Sequence, residues 1–224
     1  MRATPDSEPA GGDGAVGNRR KPVERGWLSN SALEVAPRML GAVLVSSAPE
    51  GTVAVRLTEV EAYEGADDPG SHAYRGRTLR NDVMFGPAGH LYVYFTYGMH
   101  WCANVVCGPT GEASAVLLRA GEVVGGLAVA RSRRPSARAD RDLARGPARL
   151  AGALGLGRTH NGADLCDPGS PLVLMPGDGS PGRISVGPRV GLAQAANRPW
   201  RYWLTDDPTV SPYRPHTPRR RTPL

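Results

Sequence analysis

Lysine is nearly missing from this sequence. Of its 27 basic side chains, 26 are Arg and one, Lys21, is Lys. Schiff-base catalysis needs an amine, so chemistry of that kind has a single side-chain candidate, close to the start of the chain. Cysteine is sparse too: Cys102, Cys107 and Cys166 are an odd set of three. They build neither a disulfide framework nor a zinc spacing, and a reducing setting is the expectation. Apolar runs such as Ala42 to Val45 fall far short of the 18 or so residues of a membrane span. The opening MRATPDSEPAGGDG has no apolar stretch after its charge, so no secretory leader is expected and the expected location is cytoplasmic, away from membranes. The five histidines form no H-E-x-x-H, and G-x-S-x-G and Walker loops are missing. The expectation is therefore no metal, no cofactor and no serine nucleophile.

What is present suits one domain with tails. At 224 residues, 40% hydrophobic and 21% charged, the chain is long enough to bury a core. Gly and Pro together make 50 residues, a loop-rich composition without a collagen period. Residues 1–24 read as a disordered tail, and the pattern Gly12-x-Gly14-x-x-Gly17 inside it lacks the strand and helix that a dinucleotide fingerprint requires. Residues 25–204 form the expected domain, and 205–224 a Pro- and Arg-rich segment ending in Arg219-Arg220-Arg221. Charge is uneven: residues 1–70 carry a net −4, 71–149 a net +6 and 150–224 a net +4. A positive later portion fits a polyanionic partner, and Arg fits bidentate phosphate contacts; a solvated basic face explains the charge equally well.

The pattern predicts a short helix capped at Ser29 or Ser31 and running through Leu40, then strands over 42–46 and 52–63. A polar loop follows over 64–81. Residues 90–96 alternate Leu91, Val93 and Phe95 against Tyr92, Tyr94 and Thr96, and 100–107 return as the second arm of a hairpin. Another strand is expected at 113–119, helices at 122–133 and 140–154, and short strands at 171–175, 183–191 and 199–204.

Two features suggest chemistry. Glu59 and Glu61 are two apart in an apolar strand and share a face; a buried carboxylate is costly unless paired or used. Tyrosine outnumbers phenylalanine seven to two, and Tyr92, Tyr94 and Tyr97 fall within six residues. Tyrosines near arginines suit stacking on bases, although an ordinary amphipathic strand accounts for any one of them.

The segments TEVEAYEGADDPGSHAYRGRTLRN, MFGPAGHLYVYFTYGMHWCANVV and AVLLRAGE, with GPARL at 146–150 and RVGL at 189–192, resemble the alkyladenine (3-methyladenine) DNA glycosylase family. The resemblance implies an α+β fold: one compact mixed domain with a curved, largely antiparallel sheet and a projecting β-hairpin. It implies a monofunctional hydrolase of base excision repair, acting as a monomer on double-stranded DNA with damaged bases. By the same resemblance Glu61 activates the attacking water and Arg119 helps hold it. Tyr63 faces one side of the flipped base, with His72 and Tyr94 on the other. Asn104 clashes with the amino group of guanine and Tyr97 wedges into the duplex; Met99, beside the wedge, either packs in the groove or supports the turn. Glu61 rather than Glu59 is expected to carry the reaction. Glu64, Asp67 and Asp68 put three acids near a loop that faces DNA, where they must point away from phosphate.

Those roles are physically coherent. A base cannot be cut inside the stack, and flipping it costs a few kcal/mol. A hairpin wedge offsets part of that cost. Tyr rings attract a cationic alkylpurine by roughly 0.5–2 kcal/mol, and one carboxylate then suffices to deprotonate water. Two other readings compete: a non-catalytic nucleic-acid binder using the same basic, Tyr-rich surface, and a sugar hydrolase using Glu59 and Glu61 as its carboxylate pair.

Overall fold

The computed structural model describes residues 21–96, 98–179 and 181–217. Tyr97, the glycine pattern at 12–17 and the Arg219–Arg221 run lie outside the described residues. The first helix, α1, spans Ala32–Met39 and begins where the Ser31 hydroxyl accepts from the Glu34 N–H. It buries Ala32, Val35, Ala36 and Met39 against the sheet. Strands β1 (Val43–Ala48) and β2 (Gly51–Tyr63) follow as a tight antiparallel pair.

β2 organises everything else. One edge pairs with β5 (Ala115–Gly125); the other is shared by β1 and, beyond it, β8 (Arg201–Leu204). With β3 (Leu91–Thr96), β4 (His100–Val106), β6 (Leu172–Met175) and β7 (Ile184–Gly187), the described residues form one curled antiparallel sheet. Its path runs β3-β4-β5-β2-β1-β6, with β8 on β2 and β7 on β8. The β2–β5 register slips on both sides of Glu59. A bulge there re-aims side chains, and β8 joins at the same place, pairing Glu59 with Trp203 and Glu61 with Arg201.

The main core gathers Val53, Val55, Leu57 and Val60 of β2 with Leu118, Leu150, Leu154, Leu172 and Leu174. A smaller cluster of Ala73, Met84, Tyr92, Val106 and Ala115 lies under the hairpin and the loop after β2. So the Tyr92 side of β3 is also covered, and the strand is exposed only toward its end, at Phe95. The β3–β4 turn carries Met99, 67% exposed, at the tip of the hairpin.

Two helix expectations need correction. β5 continues to Gly125, and the helix after it, α2, is only Leu127–Arg133. The boundary is Gly126, at φ +69°, where an added Cβ would lie 1.9 Å from the Thr52 carbonyl oxygen. Likewise 140–154 is not one helix. A short 3-10 turn over Asp140–Asp142 is separated by Gly146, at φ +124°, from α3 (Pro147–Leu154), which starts with proline in its first turn. Late in the chain, 188–191 leaves the sheet after β7.

Candidate active site

The site begins at the β2 bulge. Glu59 and Glu61 are both fully buried and converge on Arg119 of β5. Glu59 Oε1 accepts from Arg119 Nε at 2.8 Å and from Arg201 Nε at 2.7 Å, and its Oε2 accepts from the Ser211 N–H at 2.7 Å. Burial alone pushes the Glu59 carboxyl up, but Arg119, Arg201 and the Ser211 N–H outweigh it and hold the pKa below the ordinary value. Arg119 is under opposite pressures too: burial lowers its pKa, and the charges of Glu61 and Glu59 raise it further, so it stays protonated.

Glu61 has different partners. Its Oε2 accepts from the Tyr63 hydroxyl at 2.9 Å, and its Oε1 from the Val190 N–H at 2.7 Å, with Arg119 Nη1 3.2 Å away. Tyr63, Val190 and Arg119 all line a cavity of about 340 Å³, so the carboxylate lies directly beneath its floor. Burial first, and then the Glu61 charge, raise the Tyr63 pKa well above its usual value, keeping the hydroxyl a donor.

His72, Tyr94, Asn104 and Cys102 also line this cavity. The His72 ring meets Tyr94 edge-on, centroids 4.6 Å apart, and Tyr94 stacks on Tyr92 at 5.5 Å. Packing against these neighbours lowers the His72 pKa, and the charge of Arg80 lowers it further. Asn104 is anchored through its Nδ2 to the Tyr92 carbonyl at 3.4 Å. Six of the expected site residues are therefore brought together: Glu61, Arg119, Tyr63, His72, Tyr94 and Asn104. Met99 is apart from them on the hairpin turn, and Tyr97 lies outside the described residues.

Several partners were not legible beforehand. The Val190 N–H belongs to the RVGL run, to which the sequence assigned no role. Ser211 lies in a Pro-rich stretch and reaches Glu59 across 152 positions. The acids near the loop are also accounted for: Glu64 turns inward to the Leu33 N–H and the Ser114 hydroxyl, Asp68 is buried against Arg189, and only Asp67 is exposed. Among the described residues no cluster of His, Cys, Asp and Glu could hold a metal ion, and no helix is long and apolar enough to cross a membrane.

An aromatic-walled cavity over one braced carboxylate, on a curled antiparallel sheet with an exposed hairpin, is the class of site that receives a planar ring against a single acidic group. The sequence profile of the methylpurine-DNA glycosylase family matches residues 26–208. Similar proteins include one from Streptomyces avermitilis, 58% identical over 90% of this chain and 96% of its own length. Others are from Leifsonia xyli subsp. xyli, 57% identical over 83% and 90%, and Nocardia farcinica, 57% over 80% and 85%. All three are named as candidate 3-methyladenine DNA glycosylases. The chain belongs to the methylpurine-DNA glycosylase family. It is accordingly a DNA glycosylase, a hydrolase that cleaves the N-glycosidic bond of a damaged base and so opens base excision repair.

Proposed function

We propose that the protein draws an alkylated or deaminated purine of the 3-methyladenine type out of the duplex into this cavity, and cuts it free with a water activated by Glu61. One observation carries the reading. A carboxylate has about four acceptor positions, and two hydrogen bonds occupy Glu61, from the Tyr63 hydroxyl and the Val190 N–H, with the Arg119 guanidinium paired at 3.2 Å. Acceptor capacity is left for the proton of a water at the cavity floor. Arg119, 3.2 Å from the carboxylate, helps hold the attacking water and shares the charge that develops as it is deprotonated.

The walls suit the leaving base. Tyr63 offers a ring on one side, Tyr94 and His72 on the other. A histidine held neutral avoids repelling a cationic alkylpurine, while the tyrosine faces attract it. A cationic base already leaves readily, so one base and no strong acid suffice. Glu59 supports no second carboxylate mechanism, because three donors occupy it and only one of them, Arg119, belongs to the cavity lining. Met99, exposed at the hairpin turn, and Tyr97 fill the gap the base leaves. The protein acts as a monomer and leaves an abasic strand uncut.

Single-turnover base release from duplexes carrying 3-methyladenine, hypoxanthine or 1,N6-ethenoadenine tests this. Glu61→Gln should lower release by at least about a thousandfold, as loss of a catalytic base does, while binding to a duplex with an abasic analogue persists. Full activity in that variant would refute the assignment.

A further inference from the structure

Behind the Tyr63 wall stands a column of alternating charge and aromatic rings. The Arg189 guanidinium lies over the Tyr63 ring, 4.6 Å from its centroid, and over Trp200 at 4.9 Å. Arg198 lies over Trp200 at 4.5 Å. Arg189 is 1% exposed and does not line the cavity, whereas Tyr63 does, so the ring separates the guanidinium from the space a base would fill. Asp68, fully buried, takes both ends of the Arg189 fork; its Oδ1 accepts from Nη2 at 2.7 Å, and its Oδ2 bonds Nη1. The Asp68 carboxylate also accepts from the Gly70 N–H at 3.0 Å and lies 4.0 Å from Arg198. Arg189 donates in addition to the Ala62 carbonyl at 3.0 Å, in the strand between Glu61 and Tyr63.

This arrangement carries an electrostatic consequence for a base stacked on Tyr63. A fixed cation behind the ring repels a cationic base in front of it, and a water-poor site strengthens that repulsion. It would not repel a neutral base. A carboxylate bidentate on the same guanidinium cancels most of the field. The pair is costly to bury, and apolar side chains would brace Tyr63 as well.

We propose that Asp68 and Arg189 are positioning residues that set the charge preference of the site: Asp68 neutralises Arg189 behind Tyr63 and so lets the cavity accept cationic lesions as readily as neutral ones. The inference rests on the reading that the damaged base stacks against Tyr63.

The test compares single-turnover release of 3-methyladenine, cationic in the nucleoside, with release of 1,N6-ethenoadenine, which is neutral. Asp68→Asn keeps an acceptor for the Gly70 N–H but leaves the Arg189 charge unbalanced. It should lower the cationic-to-neutral ratio about tenfold or more. Arg189→Met leaves an apolar chain between the two rings and should move the ratio the opposite way. The double variant should return it toward the parent value. If Asp68→Asn does not fold, Arg189→Met and the double variant decide the matter. A pair that only braces Tyr63 would depress both lesions alike, and an unchanged ratio in the folded variants overturns the proposal. Failure of the underlying reading looks different: the parent protein would release neither base, or Glu61→Gln would release both at the parent rate.

Discussion

Glu59 and Glu61 show how two identical side chains, two residues apart, come to do different things. Both are buried, both touch Arg119, and their local sequence does not separate them. Their remaining partners do. Glu59 is enclosed by Arg119, Arg201 and the Ser211 N–H, while Glu61 is held by groups that line a cavity. Glu59 is thus a stability residue with an indirect hold on catalysis. Replacing it with Gln leaves two buried guanidinium groups short of their counter-charge, which costs about 3–5 kcal/mol. The pH dependence has a definite sign. Because the folded pKa lies below the ordinary 4.5, the ionised group adds stability above that value and loses it as pH falls through the lowered folded pKa. Urea midpoints of the parent and Glu59→Gln should therefore differ most near neutral pH and converge in acid. A gap that stays constant down to low pH would show that the Glu59 charge is not the cause.

At the level of elements, the segment after β8 matters more than its composition suggests. Thr209 Oγ1 bonds Thr58, the Val210 carbonyl accepts from Arg145, and Ser211 both donates to Glu59 and accepts from Arg201. Gly191, next to the Val190 that holds Glu61, donates to the Arg214 carbonyl. This strap locks β2, β8 and the RVGL turn together under the site. Ending the chain after residue 208 leaves several buried polar groups without partners, each worth about 1–3 kcal/mol. Thermal unfolding should show a large loss, and base release should fall with it, relative to a chain ending after residue 217. Equal stability of the two truncations would remove the strap from the design. The helices teach a related lesson. Residues 122–126, Glu-Val-Val-Gly-Gly, are poor helix formers, and pairing with β2 carries β5 through Gly125 until Gly126 turns the chain.

Across the whole molecule, the scarcity of lysine has a mechanistic outcome. Lys21 sits exposed just before Val23, whose N–H donates to Leu174 of β6, the opposite end of the sheet path from the β3–β4 hairpin. Arginine stays protonated and cannot form a Schiff base. Borohydride added during turnover should consequently trap no protein–DNA adduct, and the product strand should be abasic but unbroken. An adduct that disappears in Lys21→Ala would overturn the water-mediated reaction and place the N-terminal segment in the site.

By itself, the order of residues determined where most strands lie, the hairpin and the local grouping of Glu61 with Tyr63, though not how far β5 and β7 extend. These depend on period-two alternation and short-range turns, which a single segment expresses within a few residues. The clustered tyrosines and the lone lysine were likewise visible as composition. Tertiary structure alone supplied the partners that separate the two glutamates, because these depend on a bulge and on donors from β5, β8 and the strap, up to 152 positions away. It also decided that Asp68 and Glu64 turn inward, and that Arg189 stands behind Tyr63. An ion pair or a ring contact of that kind forms between segments distant in sequence, and no local pattern encodes its partner.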